Sequence, residues 1–327
     1  MQNVNNTLEQ KARSLLPTQR IALLGGFALL MMVIFMTINL GSNLTYILWH
    51  RGSILLTMLV VGFAASVSTV LFQSVTHNRI LTPSIMGFEA LFILIQTLII
   101  FFCPITTQFW LFSLIKFSLE TVLLVGFSVV LYRWLFALVH FNINMVLMVG
   151  IILGTLFRSA SALLQRLLDP NEFSVLQSRI FATFTRAAPE LIIMSLVIIV
   201  IISIIIWRKR YQFDVLSLGR NQAINLGVNY SQAVTTTLLL VSILVAISTA
   251  LVGPLTFLGL IVANIAYLIT GSHQHRYILP IAFLLSVIAL VGGQLILEYG
   301  LNMAGSLSVV LEFIGGILFI YLILKRL

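Results

Sequence analysis

The chain has 327 residues, of which 60% are hydrophobic and only 8% are Asp, Glu, Lys or Arg. Water-soluble domains carry about 25% charged residues, so this composition excludes a soluble globular protein and describes a polytopic membrane protein. The formal net charge of +9 does not imply a nucleic-acid partner, because the basic residues lie in short segments between apolar runs, as expected where Lys and Arg are retained on the cytoplasmic side of a membrane.

A helix crossing about 30 Å of hydrocarbon needs roughly 20 apolar residues, or about 17 at the short end. Residues 1–20, MQNVNNTLEQKARSLLPTQR, are too polar for a cleaved signal peptide and read as a cytoplasmic lead-in. Spans follow at Ile21–Leu40, Ile54–Phe72, Ile85–Phe102, Phe109–Leu131, Ile143–Leu164, Leu191–Trp207, Ala233–Leu251, Ile278–Leu297 and Ser308–Leu324. Nine helices with a basic N-terminus inside would leave Arg276, Lys325 and Arg326 outside, against the charge rule. The conflict disappears if Leu258–Thr270, behind a Gly253-Pro254 turn, is a short tenth helix buried by its neighbours.

With ten helices the inside holds Lys11, Arg13, Arg20, Arg79, Arg133, Arg208, Lys209, Arg210, Arg220, Arg276, Lys325 and Arg326, and the outside loops hold Arg51, Arg179 and Arg186. The expectation is an all-α fold of about ten transmembrane helices with both termini inside, forming one transmembrane domain over residues 21–327. The longest outside loop, Asp169–Pro189, carries Phe173, Leu176, Ile180, Phe181 and Phe184 at helical spacing, which predicts a helix lying on the outer surface.

The longest polar interval between apolar runs is Arg208–Gln232, RKRYQFDVLSLGRNQAINLGVNYSQ, and it opens on the densest positive cluster in the chain. Asp214 can cap a helix start there. Leu218, Ala223, Ile224 and Leu226 offer apolar contacts, and Gly227 is placed to end the helix. A short amphipathic helix on the cytoplasmic side suggests a docking element for a soluble partner.

Nothing in the sequence supports covalent catalysis. His273 and His275 lie in a short inside loop with no adjacent carboxylate and read as solvated residues rather than metal ligands. His50, His77 and His140 stand singly at helix ends. The single cysteine, Cys103, allows neither an intrachain disulfide nor a Cys-based metal site and reads as a packed thiol. No Gly-Lys dipeptide occurs, so a Walker phosphate loop is absent and any ATP would be bound by another polypeptide. Lys116 and Glu120 are four apart on one helix and can pair with each other. Arg158 and Arg166, eight apart on the fifth span, face either protein or a water-filled cavity. Glu89, Glu190, Glu298 and Glu312 lie near helix ends, where snorkelling to the interface accounts for them. Gly62, Ala65, Ser66 and Thr69, and likewise Gly150 and Gly154, have the small-residue spacing that lets helices approach closely.

Three ordered blocks carry a family resemblance. In VGFAASVSTVLFQSVTHNRILTPSIMGF, Gly62, Gln73, Asn78, Pro83 and Gly87 fall in register with a block of the FecCD-type permeases of ABC importers, Leu81 matches more loosely, and Arg79 replaces a proline. Leu218, Gly219, Ala223, Leu226 and Gly227 match a second block, and Gly253, Pro254, Phe257, Gly259 and Leu260 a third. The chain thus resembles a permease of the family that imports iron–siderophores, haem and cobalamin.

The resemblance implies the ABC type II importer permease architecture in a bacterial cytoplasmic membrane. It implies no cofactor on this chain, with ATP and Mg on a partner ATPase docked at Leu218, Gly219, Ala223, Ile224, Leu226 and Gly227. It also implies a second FecCD-type permease, a different chain, and an extracytoplasmic substrate-binding protein for which Arg51 is the candidate contact. Only the first arginine of a family Arg-x-Pro-Arg run survives, as Arg51, and Glu298 stands where an outer-face arginine is usual. With Thr82–Gly87 and Asp169–Phe173 these departures are similar to the branch serving catecholate-type siderophores such as vibriobactin, enterobactin or petrobactin. The alternative is a secondary transporter driven by an ion gradient, which would need an intramembrane site of ionisable residues or broken helices.

Overall fold

The fold is organised by one helix that is apolar nearly all round. In a computed structural model that describes residues 16–39, 43–102, 117–127, 143–185, 187–300 and 306–326, with isolated positions 115 and 130, the segment Leu44–Thr76 is a continuous helix of 33 residues. A helix without a polar face is a buried one, and from Arg51 to Thr76 most of its side chains are buried. At 1.5 Å per residue it is about 50 Å long, longer than the Ile54–Phe72 span read from hydropathy. Nothing breaks it earlier, and His77 ends it in the left-handed conformation.

Numbered in chain order, the helices are α1 (Pro17–Thr37), α2 (Leu44–Thr76), α3 (Phe88–Phe102), α4 (Phe117–Phe127), α5 (Ile143–Gln165), α6 (Pro170–Ile180), α7 (Pro189–Leu216), α8 (Arg220–Asn225), α9 (Tyr230–Val252), α10 (Leu258–Thr270), α11 (His275–Leu295) and α12 (Leu307–Arg326). No strand occurs among the described residues. Among the described residues six helices are long and apolar enough to cross a membrane, and α3, α4, α10 and the Leu307–Ile317 part of α12 are shorter apolar helices. Together these are the ten expected, with α6 the surface helix of the long loop and α8 the short helix of the polar interval.

Helix α2 packs against α9, α11, α7 and α10, while α1 lies along α11 and α5 along α3. Fully buried Met58 and Phe72 of α2 meet a core that includes Phe35 of α1, Phe213 of α7, Leu244 of α9 and Leu258 of α10. Lipid tails are as apolar as leucine, so close packing and internal hydrogen bonds hold such helices together. The small residues serve that purpose. A Cβ at Gly62 would lie 2.8 Å from Ser286 Oγ of α11, and one at Gly259 would lie 2.9 Å from Ala65 O of α2.

The third span is shorter than its apolar run. Pro83 opens a 3-10 turn, Pro83–Met86, and Gly87 has φ +90°, so α3 starts only at Phe88. At the far end of α11 the backbone widens into a π turn, Ile296–Gly300.

Some expectations lie outside the described residues: the lead-in before residue 16, Cys103, Lys116, Arg133, His140, Arg186, the ends of the Phe109–Leu131 span, and the side chains of Lys325 and Arg326.

Candidate functional site

The Arg208–Gln232 interval gathers at one end of the bundle, called here the basic end. The apolar part of α7 stops at Trp207, but the helix continues through the basic cluster to Leu216. Arg210 folds back there: its Nη1 donates to Trp207 O at 2.7 Å and its guanidinium lies 4.4 Å from the Tyr211 ring centroid. Asp214 is therefore inside α7 and does not cap the short helix, correcting the sequence reading. Gly219, with φ +104°, turns the chain into α8, and Gly227, with φ +82°, turns it out again. Asn229 then caps α9, accepting from Gln232 N.

The result is a compact knuckle, Leu218–Gly227. Ala223 is fully buried beneath it, and Val228 N donates to Ala223 O at 3.0 Å. Leu218, Ile224 and Leu226 are more than half or half exposed, at 56%, 50% and 61%. Three apolar side chains turned outward beside Arg208, Lys209, Arg210 and Arg220 form a surface that an apolar cleft can take.

Hydrogen bonds tie the base of the knuckle to other helices. His77 Nε2, just past α2, is 2.9 Å from Leu216 O. Asp214 Oδ1 accepts from His275 N and lies 2.7 Å from His275 Nδ1, and His275 Nε2 is 2.7 Å from Ser74 Oγ. His275 is 1% exposed, so the reading of a solvated loop histidine is wrong. Sequence offered no signal for its partners, because Ser74 and Asp214 are far from it along the chain. Partial burial pushes the Asp214 carboxyl up, but the hydrogen bonds and charge of His275, with Arg210 nearby, outweigh this and hold it below the usual carboxylate range.

The residues of the other two blocks brace this end and the middle of the bundle. Gln73 Nε2 and Asn264 Nδ2 both donate to Arg79 O, at 2.8 and 3.0 Å, and Arg79 lies over the Tyr267 ring at 4.6 Å. Asn78 Oδ1 accepts from Ile80 N. Gly253, with φ +105°, passes within 3.2 Å, measured from an added Cβ, of Ala182 Cα, and Pro254 follows it before α10.

At the opposite end Arg51, the candidate binding-protein contact, is 9% exposed. Its Nη1 donates to Phe35 O at 3.1 Å and to Ile38 O, and its Nη2 donates to Tyr299 Oη at 2.8 Å, 3.7 Å from Glu298 Oε1. The guanidinium joins the ends of α1, α2 and the π turn. Glu89 is also buried rather than snorkelling, and its Oε2 accepts from Thr256 Oγ1. Glu120 accepts from Gln96 Nε2 at 2.7 Å. Arg158, Arg166, Glu190 and Glu312 are exposed on the single chain. Among the described residues no three His, Cys, Asp or Glu come together to hold a metal ion.

The model of the FecCD transport family matches residues 22–325. The chain is 42% identical over 307 residues to the petrobactin import system permease protein YclO of Bacillus subtilis (strain 168), covering 94% of this chain and 97% of that protein. It is 35% identical over 272 residues to the petrobactin import system permease protein FatC of Bacillus anthracis, covering 83% and 77%. Its fold matches a solved inward-facing conformation of a putative metal-chelate type ABC transporter with TM-score 0.81 at 24% identity, over 94% of this chain and 99% of that one.

Proposed function

The chain belongs to the FecCD transport family, and from that membership we propose that it is the permease subunit of an ATP-driven importer of a ferric siderophore, catecholate-type and of the petrobactin class. It is a multi-pass membrane transport subunit and not an enzyme, with ATP and Mg held by a separate ATPase. The permease domain spans residues 21–327, and its basic end faces the cytoplasm of a bacterial cell with both termini on that side, as the distribution of Lys and Arg supports.

The observation that carries the coupling assignment is the outward apolar set Leu218, Ile224 and Leu226 on a knuckle fixed at both ends. ATP-driven closure of the ATPase needs a rigid lever. A knuckle seated in each ATPase converts closure into tilting of the helices it is bonded to, opening one face of the bundle and closing the other. The second permease is a different FecCD-type chain, and a binding protein delivers the chelate at the opposite end. There Arg51 acts from within, holding Glu298 and the ends of α1 and α11 in place for docking.

The ion-gradient alternative loses its footing. Glu89 and Glu120 are each bonded inside the chain rather than spaced along one path, and the relatives are import-system permeases. Reconstitution with the ATPase, the second permease and the binding protein in vesicles tests the reading. Ferric petrobactin uptake requiring internal ATP and indifferent to ionophores is expected. Uptake that follows an ion gradient without ATP would overturn it.

A further inference from the structure

We propose that a groove between α2, α7 and α11 seats one acyl chain of an anionic phospholipid, whose phosphate is held at the basic end by Arg210 and Arg276. This goes beyond the importer reading and does not depend on it, because it requires only that the bundle stand in a bilayer.

The groove has a volume of about 460 Å³, within the roughly 300–1,000 Å³ of ordinary ligand sites. Its lining includes Phe63 of α2, Ser203 and Trp207 of α7, and Leu279, Pro280 and Phe283 of α11, and Ser203 brings the only hydroxyl. Phe63 and Phe283 meet edge to face with ring centroids 5.6 Å apart, which ties α2 to α11. The α7 wall is open to its surroundings, with Val200, Ile204 and Trp207 about half exposed. From Leu196 to Trp207 the groove follows α7 for about 16 Å, at 1.5 Å per residue. One leaflet of a hydrocarbon core about 30 Å thick is about 15 Å deep. The groove is therefore as long as the acyl region of a single leaflet.

Helical spacing carries each wall into an arginine. Arg276 precedes Leu279, Pro280 and Phe283 by three, four and seven residues and shares their face of α11. Arg210 follows Trp207 by three residues on α7, and its guanidinium lies 5.0 Å from the Trp207 ring centroid. Asp214 brings the two helix ends side by side, accepting from His275 N at 2.7 Å. Arg210 stands one turn before Asp214 and Arg276 directly follows His275, so the two arginines flank one mouth. Arg276 is exposed and Arg210 half-buried, and Arg208 and Lys209 add positive charge beside them. The only acid within residues 196–216 and 275–283 is Asp214, and His275 N and Nδ1 already engage its carboxylate.

An apolar tail with a negative head matches both ends of this groove. A helix of another protein would suit the apolar wall but leave the arginines without a countercharge. A zwitterionic lipid brings a phosphate offset by its own cation. Basic pockets between membrane helices on the cytoplasmic side suit anionic headgroups, and a tryptophan at the end of an apolar run marks the interfacial level where phosphates lie.

The test uses the purified full chain in vesicles of phosphatidylcholine and phosphatidylglycerol, with bromine on the acyl chains of one lipid at a time. Quenching of Trp207 is read as the difference between the chain and Trp207→Phe. Brominated phosphatidylglycerol should quench at least about fivefold more effectively than brominated phosphatidylcholine, since each Lys or Arg near the surface favours an anionic lipid by about that factor. Arg210→Gln combined with Arg276→Gln should reduce this preference severalfold, and high salt should shrink it without any substitution. Ser203→Phe, which fills the groove, should reduce quenching by both lipids. Equal quenching by the two lipids at low salt would overturn the proposal, as would a preference unchanged in both the arginine variant and high salt. Quenching lost on adding a second permease chain would assign the groove to a subunit interface and overturn it as well. Because quenching is read without ATP or siderophore, its outcome is separate from that of the uptake assay.

Discussion

Gly87 and Gly154 meet backbone to backbone. A Cβ at Gly87 would lie 3.0 Å from Gly154 Cα, and one at Gly154 would lie 3.1 Å from Gly87 Cα. The contact fixes the turn before α3 against the middle of α5, and Gly87 also needs its φ of +90° to end the Pro83–Met86 turn. Both requirements fall on the same loop that holds Arg79 over Tyr267, so one close approach sets the height at which α3 begins.

Gly154→Leu should therefore push α5 off the turn and cost about 1–3 kcal/mol, the usual range for overpacking. Thermal unfolding in detergent, followed by intrinsic fluorescence, should show a lowered midpoint. Gly126→Ala on α4, where an added Cβ meets nothing within 4 Å, is the control. Equal stability of Gly154→Leu and Gly126→Ala would mean that the two backbones do not touch.

Gly227→Trp separates insertion from coupling. An added Cβ at Gly227 meets nothing within 4 Å, but its φ of +82° costs an L-residue about 1–2 kcal/mol. The helix bundle should form, while the exit of the knuckle is distorted and a bulky ring stands beside Ile224 and Leu226. ATP hydrolysis by the assembled complex should continue with uptake reduced at least tenfold. Normal uptake in vesicles by this variant would remove Leu218–Gly227 from the coupling role.

The ten-helix fold was legible because it follows from counting: apolar runs set the spans, and the Lys and Arg bias demanded α10. Helix ends were less legible, since hydropathy ignores the glycine and proline breaks that delay α3 and cannot see that α2 and α7 continue past their apolar parts. The knuckle's end could be read from Gly227, whereas its start was misplaced at Asp214 and the bounds Leu218–Gly227 came from the family resemblance. The knuckle's attachment could not be read, because Asp214, His275 and Ser74 are joined only by the packing of α7, α11 and α2, and a histidine between polar residues looks solvated in one dimension. The partners of Arg51 were hidden for the same reason: Phe35 O and Ile38 O are backbone atoms that no side-chain pattern announces.

Arg51→Met removes a guanidinium bonded to Phe35 O, Ile38 O and Tyr299 Oη. Hydrogen bonds to a charged group contribute about 1.5–3 kcal/mol each when buried, so unfolding should occur at clearly lower temperature. Affinity for the binding protein should fall along with stability, and Tyr299→Phe should reproduce a smaller part of both effects. If Arg51→Met keeps full stability yet loses binding-protein affinity at low salt, the arginine contacts the partner directly and the internal clamp is wrong.

The last prediction concerns the apolar surface of the knuckle. Ile224 is half exposed on the free chain while its neighbour Ala223 is fully buried, so replacing Ile224 should leave the fold intact and change only what docks there. Burying an isoleucine side chain contributes about 1.5–3 kcal/mol, and about 1.4 kcal/mol is tenfold in affinity. Because half of the Ile224 side chain is already buried in the free chain, Ile224→Ser should weaken ATPase association by about three- to tenfold, measured by titrating purified ATPase against the chain in nanodiscs. Leu226→Ser should act in the same direction. Gln222, whose side-chain oxygen is within reach of the Gly219 position, belongs to the same short helix but offers no apolar area, and Gln222→Asn should change affinity little. Equal affinities for Ile224→Ser and the unaltered chain would show that the ATPase, if it docks, is held by the basic cluster Arg208–Arg210 instead. High salt, which screens exposed charges, would then abolish binding that an apolar contact should survive.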